Sequence, residues 1–351
     1  MKVLLLTTNY PPVTGGVSRY YEGLVGASGG ELGVAGIDFG DPPPMGGDGL
    51  RSRLSQIRWA ARIARKAPSK IPLIAGHPHL AVGIALAGRS FSMVIHGGEW
   101  QDYPFGGALL RRLSSAADVI LTSSSTTGTF WIPRSLQSKV VSITPGLPEF
   151  ACQLLSQIGG QNSAPDIDAP FSIVTVSRSS PRKGIQRLVD AVQICRQLGF
   201  DVTLKIVGQS QGNTRCDAEI GGINFLGRVA DEILVECYRE AQAFVLVPER
   251  TSGGEGWEGF GIVYLEAAAA GLPIIATDTG GVTEAVTTDG ALTLEVNCFP
   301  EDIASVIIDL SLEISVAKQM ALANQMWAES QKWDHRTGQV QALISGVALQ
   351  T

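Results

Sequence analysis

Ala243-Phe244-Val245-Leu246-Val247-Pro248, then Glu258-Gly259-Phe260-Gly261-Ile262-Val263-Tyr264-Leu265-Glu266 running into Ala267 to Ala270, then Gly271-Leu272-Pro273-Ile274-Ile275-Ala276-Thr277, decide the fold. The first apolar run is short and ends at a proline, as a buried strand does. Gly271 stops a helical segment, and the run after it reads as a second strand. The order is therefore strand, glycine loop, helix, strand. Gly259 and Gly261 let the backbone approach a ligand closely, and amides at a helix start point free N–H groups toward an anion such as a phosphate. Glu258 stands at that mouth. With a helix beginning near Phe260, Glu266 falls about two turns in, so the two carboxylates suit two parts of one elongated ligand.

Working outward, the same plan covers both halves of the chain. Val3 to Thr7, Leu32 to Phe39, Pro72 to Gly76, Phe91 to Ile95, Val119 to Thr122 and Val140 to Ile143 read as short buried strands. Ile173 to Val176, Thr203 to Val207, Ile223 to Leu226, Phe244 to Val247, Pro273 to Thr277 and Leu292 to Leu294 repeat the pattern. Strands that are apolar throughout and separated by helices predict parallel sheets covered on both faces, an α/β fold of two doubly wound Rossmann-like domains. Gly159 to Pro170 is rich in Gly, Ser, Asn, Asp and Pro and reads as a linker. The expected organisation is a first domain over 1–158, a linker over 159–170, a second domain over 171–330, and a helical tail over 331–351 that crosses back to the first. Two such domains leave a crevice between their strand ends, where this architecture holds ligands.

A chain of 351 residues, 44% of them hydrophobic, has the length for two ordinary cores. Its five cysteines are scattered, without Cys-x2-Cys spacing, and no secretory leader is legible, so a reducing cytoplasm and no metal site are expected. No apolar run approaches the roughly 20 residues that span a bilayer. Charge is divided unevenly: residues 1–150 carry 14 Lys/Arg against 9 Asp/Glu, and residues 151–351 carry 13 against 24. The basic excess is concentrated between Asp48 and Glu99, where no acidic residue occurs. Nucleic acid is not the expected partner, because stacking aromatics are sparse and the second half is acidic.

Other loops stand at expected strand ends. Gly15 and Gly16 follow the first strand and precede a helix; they suit closure over a phosphate or sugar, or an ordinary turn. His96 ends a strand, on the ligand side of a parallel sheet, though a lone histidine often serves a local hydrogen bond. Arg178 and Lys183 lie on the loop Ser177 to Gly184, where cations would neutralise a leaving diphosphate, or simply be solvated. Phe225-Leu226-Gly227-Arg228-Val229, by position alone, is read as a stretch that presents backbone groups to a base edge.

Together these stretches resemble the glycosyltransferase family 4 enzymes of the GT-B fold, which use nucleotide-sugar donors and retain anomeric configuration. The resemblance covers nearly the whole chain and rests most on Glu258 to Glu266, Gly271-Leu272-Pro273 and Thr279-Gly280-Gly281-Val282-Thr283-Glu284, then on Arg178 and Lys183-Gly184. Thr251 to Glu266 is similar to mannosyltransferases that use GDP-mannose. The resemblance implies that Glu258 meets the donor sugar, Glu266 the ribose hydroxyls, Arg178 and Lys183 the diphosphate, and the Phe260, Gly261 and Ile262 amides the sugar and phosphates. It implies that His96 touches the transferring sugar and that Gly15 and Gly16 adjoin the diphosphate. Ser177 stands where a glycine is usual, and Thr144-Pro145-Gly146-Leu147 where Asn-Gly-Val is usual.

The function expected from this is a retaining hexosyl transfer, mannosyl from GDP-mannose or a hexosyl from a UDP-sugar, to a glycan or lipid-linked acceptor. No metal is required, and a phosphate oxygen of the leaving group serves as base because no second carboxylate pair is placed for double displacement. Asp166-Ile167-Asp168 has the metal-nucleotide form of another class of sugar transferases but falls in the expected linker. Gly254-Glu255-Gly256-Trp257-Glu258-Gly259 also fits a dinucleotide fingerprint, with Asp278 near the spacing of a ribose-binding acid, so an NAD-dependent dehydrogenase is the rival enzyme. A non-catalytic nucleotide-sugar binder is the rival of another kind. Leu50 to Lys66 reads as a helix about 25 Å long, with Leu50, Leu54, Ile57, Ala61 and Ala64 on one stripe and Arg51, Arg58, Arg62 and Arg65 on another. That basic face is read either as a solvated surface or as the part that brings the protein to the inner, anionic face of a membrane.

Overall fold

The computed structural model describes residues 2–39, 50–97, 106–155, 169–212, 214–215, 221–249 and 258–349. Two six-stranded sheets carry the chain, every strand parallel to its neighbours. The first holds β1 (Val3–Leu6), β2 (Leu32–Val34), β3 (Leu73–Ala75), β4 (Ser92–Ile95), β5 (Ile120–Thr122) and β6 (Val140–Ser142), in the order β2-β1-β3-β4-β5-β6. The second holds β7 (Phe171–Val176), β8 (Val202–Val207), β9 (Ile223–Gly227), β10 (Ala243–Leu246), β11 (Ile274–Thr277) and β12 (Ala291–Leu294), in the order β12-β11-β10-β7-β8-β9. All twelve expected strands form. β1, β4, β10 and β11 are buried along their whole length, which is why they lack alternation, whereas the edge strand β9 alternates between half-buried and exposed positions.

Two expectations change in detail. The strand expected over Leu32 to Phe39 ends at Val34, because the Asp38 carboxylate accepts from the Val34 amide at 2.6 Å and closes the helical turn Ala35–Asp38. The helix Leu50–Lys66 forms, but its buried face is led by Trp59 and Ile63 with Gln56, Ala60 and Ala64. Leu50 and Leu54, expected on the buried stripe, are 71% and 43% exposed. The large indole outweighs the leucines, and the helix turns until Trp59 enters the first sheet's core beside Ile84 and Phe91. Arg51, Arg58, Arg62 and Arg65 remain on the exposed side.

The chain divides into two compact units, one of Met1–Gly146 with Trp333–Thr351, the other of Leu147–Lys332. Within the second, the helix Ile185–Gln197 buries Ile185, Leu188, Val189, Val192 and Cys195 at helical spacing. Phe244 meets the Tyr264 ring edge-on at 5.6 Å. The helix Glu149–Leu155 also belongs to this unit and packs on the helices Asp231–Arg239 and Ile262–Ala269. Within the first unit, Trp333 lies against Gly23 and Gly146, its ring 5.8 Å from that of Tyr20. Arg336 donates from Nε to the Thr144 carbonyl at 2.8 Å and from Nη2 to its hydroxyl at 3.1 Å, so the returning tail is tied to the loop after β6. Most of the expected linker, including Asp166 and Asp168, and the stretch Thr251 to Trp257 with Gly254 and Gly256 lie outside the described residues.

Candidate functional site

In each sheet, successive strands are laid down in one direction and then the other, and the reversal leaves a notch at the carboxyl edge where ligands bind in this architecture. The reversal falls between β1 and β3 in the first unit and between β7 and β10 in the second.

The second notch is built from two close approaches. After β7, the turn Pro181–Lys183 ends at Gly184, whose φ is 65°. A Cβ there would stand 2.0 Å from the Val247 carbonyl, so the loop after β7 lies directly against the loop after β10. The Lys183 side chain is thereby turned inward, and Lys183 is 8% exposed. After β11, Gly280 adopts a φ of 59°, and a Cβ on it would come within 2.0 Å of the Glu258 carbonyl, which accepts from the Gly281 amide at 2.8 Å. Glu258 is set on this turn as on a shelf. Arg187 holds the surrounding loops by donating to the carbonyls of Val247, Pro248, Val296 and Cys298.

On that frame, Lys183 Nζ donates to Glu258 Oε2 at 2.5 Å, and Arg182 Nη1 stands 3.7 Å from the same oxygen. Arg178 is exposed and acts electrostatically on both members of the pair. Burial alone would raise the Glu258 pKa, but Lys183 and Arg182 more than offset it and hold the carboxyl below its usual range. Burial lowers the Lys183 pKa against the pull of Glu258. Among the described residues, three cations, Lys183, Arg182 and Arg178, act on this one carboxylate.

The helix Ile262–Ala269 starts beside this cluster with Gly261 as its N-cap. Phe260 and Ile262 are buried while Gly259 and Gly261 are half-exposed, so the backbone at the mouth faces outward at its glycines. Glu266 lies deeper, 1% exposed, and accepts from the Tyr238 hydroxyl at 2.8 Å. On the other side of β7, Gly208 donates to the Gly227 carbonyl at 2.7 Å and Gln209 Nε2 reaches Ser177 Oγ at 3.4 Å, which knits the loops after β7, β8 and β9. Val229 is half-buried two residues beyond β9. Direct contact thus joins Lys183 and Glu258, with Arg178 within electrostatic reach and Gly259 to Ile262 adjoining in the chain; Glu266 bonds instead to Tyr238. Arg182 was not singled out from sequence, and Gly280 stood only within the stretch Thr279 to Glu284.

The notch of the first unit gathers neutral polar groups among the described residues. Gly15 caps the helix Gly16–Ala27 with a φ of 141°, and both glycines are exposed. His96 follows β4, and its Nε2 lies 2.8 Å from the Tyr21 hydroxyl. Because that hydroxyl donates to the Gly76 carbonyl, Nε2 of His96 carries a hydrogen and donates to Tyr21. The His77 ring is 6.1 Å from that of His96 and stacks on His79 at 5.5 Å. Asn9 Nδ2 donates to His77 Nε2 at 2.5 Å, and His79 Nε2 meets Gln56 Oε1 at 2.6 Å. Burial holds His79 and His96 at about 4 and His77 well below 6.5, so the rings are neutral near pH 7. Neutral imidazoles and amides donate to and accept from hydroxyls without drawing an anion. Of the histidines here only His96 stood out from sequence, yet His77 follows β3 after a single glycine and meets the same criterion.

Residues 170–312 match the family described as Glycosyl transferases group 1. Over 98% of this chain and 98% of the relative, the sequence is 27% identical to a GDP-mannose-dependent alpha-(1-6)-phosphatidylinositol monomannoside mannosyltransferase of Mycolicibacterium smegmatis. It is 25% identical, over 84% of each chain, to the monoacylated-substrate counterpart of Corynebacterium glutamicum. Among solved structures it superposes on HepE of Anabaena in complex with UDP with a TM-score of 0.71 and 18% identity, covering 100% of both chains. It superposes on sucrose-phosphate synthase of Thermosynechococcus elongatus with a TM-score of 0.74 and 17% identity, covering 99% of both.

Proposed function

We propose that this chain, a glycosyltransferase of the GT-B fold, moves a mannosyl group from GDP-mannose to a hydroxyl of a lipid-linked glycan acceptor, with retention of anomeric configuration. The observation that carries the donor site is the convergence of Arg182, Lys183 and Glu258 at the notch between β7 and β10, beside the mouth of a helix. The likeness along nearly the whole chain to mannosyltransferases named for GDP-mannose supports the choice of sugar and base. In this reading Arg178, Arg182, Lys183 and the amides of Phe260 to Ile262 take up the charge of the departing diphosphate without a metal. Glu258 orders sugar hydroxyls, Glu266 the ribose, Val229 adjoins the base, and the neutral His96 meets the transferring sugar. A second reading, a UDP-sugar donor, is favoured by the UDP-bound HepE fold.

A thermal-shift series with GDP-mannose and UDP-glucose, with and without EDTA, separates these readings, because stabilisation grows with the logarithm of ligand excess over Kd. GDP-mannose is expected to raise Tm most, equally in EDTA. A shift from UDP-glucose alone moves the assignment to UDP-sugars, and a shift abolished by EDTA ends the metal-free mechanism. NMR of the product tests retention, since an inverted anomer rejects it.

The exposed Arg51, Arg58, Arg62 and Arg65, on a helix that also exposes Leu50 and Leu54, suit docking on an anionic bilayer at about 1 kcal/mol per basic residue near the surface. Among the described residues no helix is long and apolar enough to cross a membrane. The proposed location is the inner, cytoplasmic face of the membrane. Flotation with anionic vesicles at low salt is expected to carry the protein up and to fail for the Arg58→Ala/Arg62→Ala double variant; equal flotation of the two removes this face from the account.

A further inference from the structure

Lys183 and Glu258 are the two side chains that the donor reading assigns to the diphosphate and the sugar, and they are bonded to each other. Their charged atoms are 2.5 Å apart, with side chains 10% and 9% exposed. Neither backbone has room to retreat: Gly184 beside Lys183 is pressed on the Val247 carbonyl, and Gly280 is pressed under Glu258. Separating the pair therefore means rotating side chains, and whichever group is released needs a new partner, because a buried ion left alone is heavily penalised.

Resting on that donor reading, we propose that the Lys183–Glu258 ion pair discriminates intact nucleotide-sugar from spent nucleoside diphosphate. Both ligands offer phosphate oxygens to Lys183 and so compete with Glu258 for the ammonium. A nucleotide-sugar also brings hydroxyls that donate to the freed carboxylate. A nucleoside diphosphate brings none, and its terminal phosphate, with a second ionisation near pH 6, adds charge opposite that carboxylate. Once the sugar has left, Glu258 and the phosphate compete for the same ammonium, and reclosure of the pair helps expel the product. Arg182, 3.7 Å from Glu258 Oε2, softens the competition without removing it.

The test is calorimetric titration of the full chain with GDP, GDP-mannose, UDP and UDP-glucose, for wild type and Glu258→Gln, at one ionic strength. Glu258→Gln is expected to tighten binding of the diphosphate by about tenfold, equivalent to about 1.4 kcal/mol, and not to tighten binding of the corresponding sugar donor. The ratio of the two affinities thus shifts toward the product. Glu258→Ala is expected to act with the same sign and serves if Gln impairs folding; Glu258→Asp, which keeps the charge one methylene farther from Lys183, is expected to tighten diphosphate binding less than Gln does. Diphosphate affinity unchanged or weakened in both charge-removing variants overturns the proposal, as does equal tightening of both ligands. If wild type binds none of the four, the donor reading itself falls, and the discriminator with it.

Discussion

Replacement of Lys183 by Ala is expected to lower turnover at saturating donor by roughly 100-fold or more, the size of effect that follows loss of a group stabilising developing charge in an enclosed site. The expectation rests on position more than on charge count. Arg178 is exposed and Arg182 is half-buried, so solvent already screens much of what they offer, whereas the Lys183 ammonium is buried beside the helix mouth. The substitution also leaves Glu258 buried with Arg182, at 3.7 Å, as its nearest remaining cation among the described residues, so some loss of stability accompanies the loss of rate. Turnover and melting temperature measured on the same preparation separate the two. A variant that melts normally and turns over near the wild-type rate would take Lys183 out of the chemistry.

Gly280→Ala is the second large effect, and it acts without touching a charged group. The new methyl meets the Glu258 carbonyl at 2.0 Å in a left-handed conformation that alanine itself disfavours by roughly 1 kcal/mol. Since the contact is with backbone, no side-chain rotation relieves it. Glu258 must rise from its shelf, lengthening its contact with Lys183 and breaking the bond from Gly281. A shift of about 1 Å in a positioning group costs on the order of 100-fold in rate, and the expected result is such a drop with a lower melting temperature. Gly26→Ala is the control: its Cβ meets nothing within 4 Å, and it is expected to leave both quantities near wild type. Activity of Gly280→Ala above a tenth of wild type would show that Glu258 tolerates displacement.

What could be read in advance follows the range of the interactions involved. Strands such as Val3–Leu6 and Ala243–Leu246 announce themselves because burial on both faces demands unbroken apolar residues, a local signature. The strand order is not local. That β3 pairs with β1 in one sheet, while β10 takes the corresponding place beside β7 in the other, depends on crossovers whose direction no window of residues records. The same limit applies to the sites. Glu258 and its glycine loop were legible as a unit, but its contact with Lys183 spans 75 positions. Asn9, Tyr21, His77 and His96 converge because β1, β3 and β4 are adjacent, so histidines that look solitary in sequence form a cluster. The basic helix forms with its arginines exposed and Ala61 and Ala64 buried, and only Leu50 and Leu54 depart from the expected stripe, because the bulk of Trp59 sets the buried face.

The return of Trp333–Thr351 to the first unit has a consequence for synthesis. A ribosome delivers residues 147–332 before the indole that fills the place beside Gly23 and Gly146 exists outside the exit tunnel. The unit begun first is therefore finished last. Until those residues emerge, Tyr20 and the loop after β6 lack the contacts that Trp333 and Arg336 supply in the folded unit.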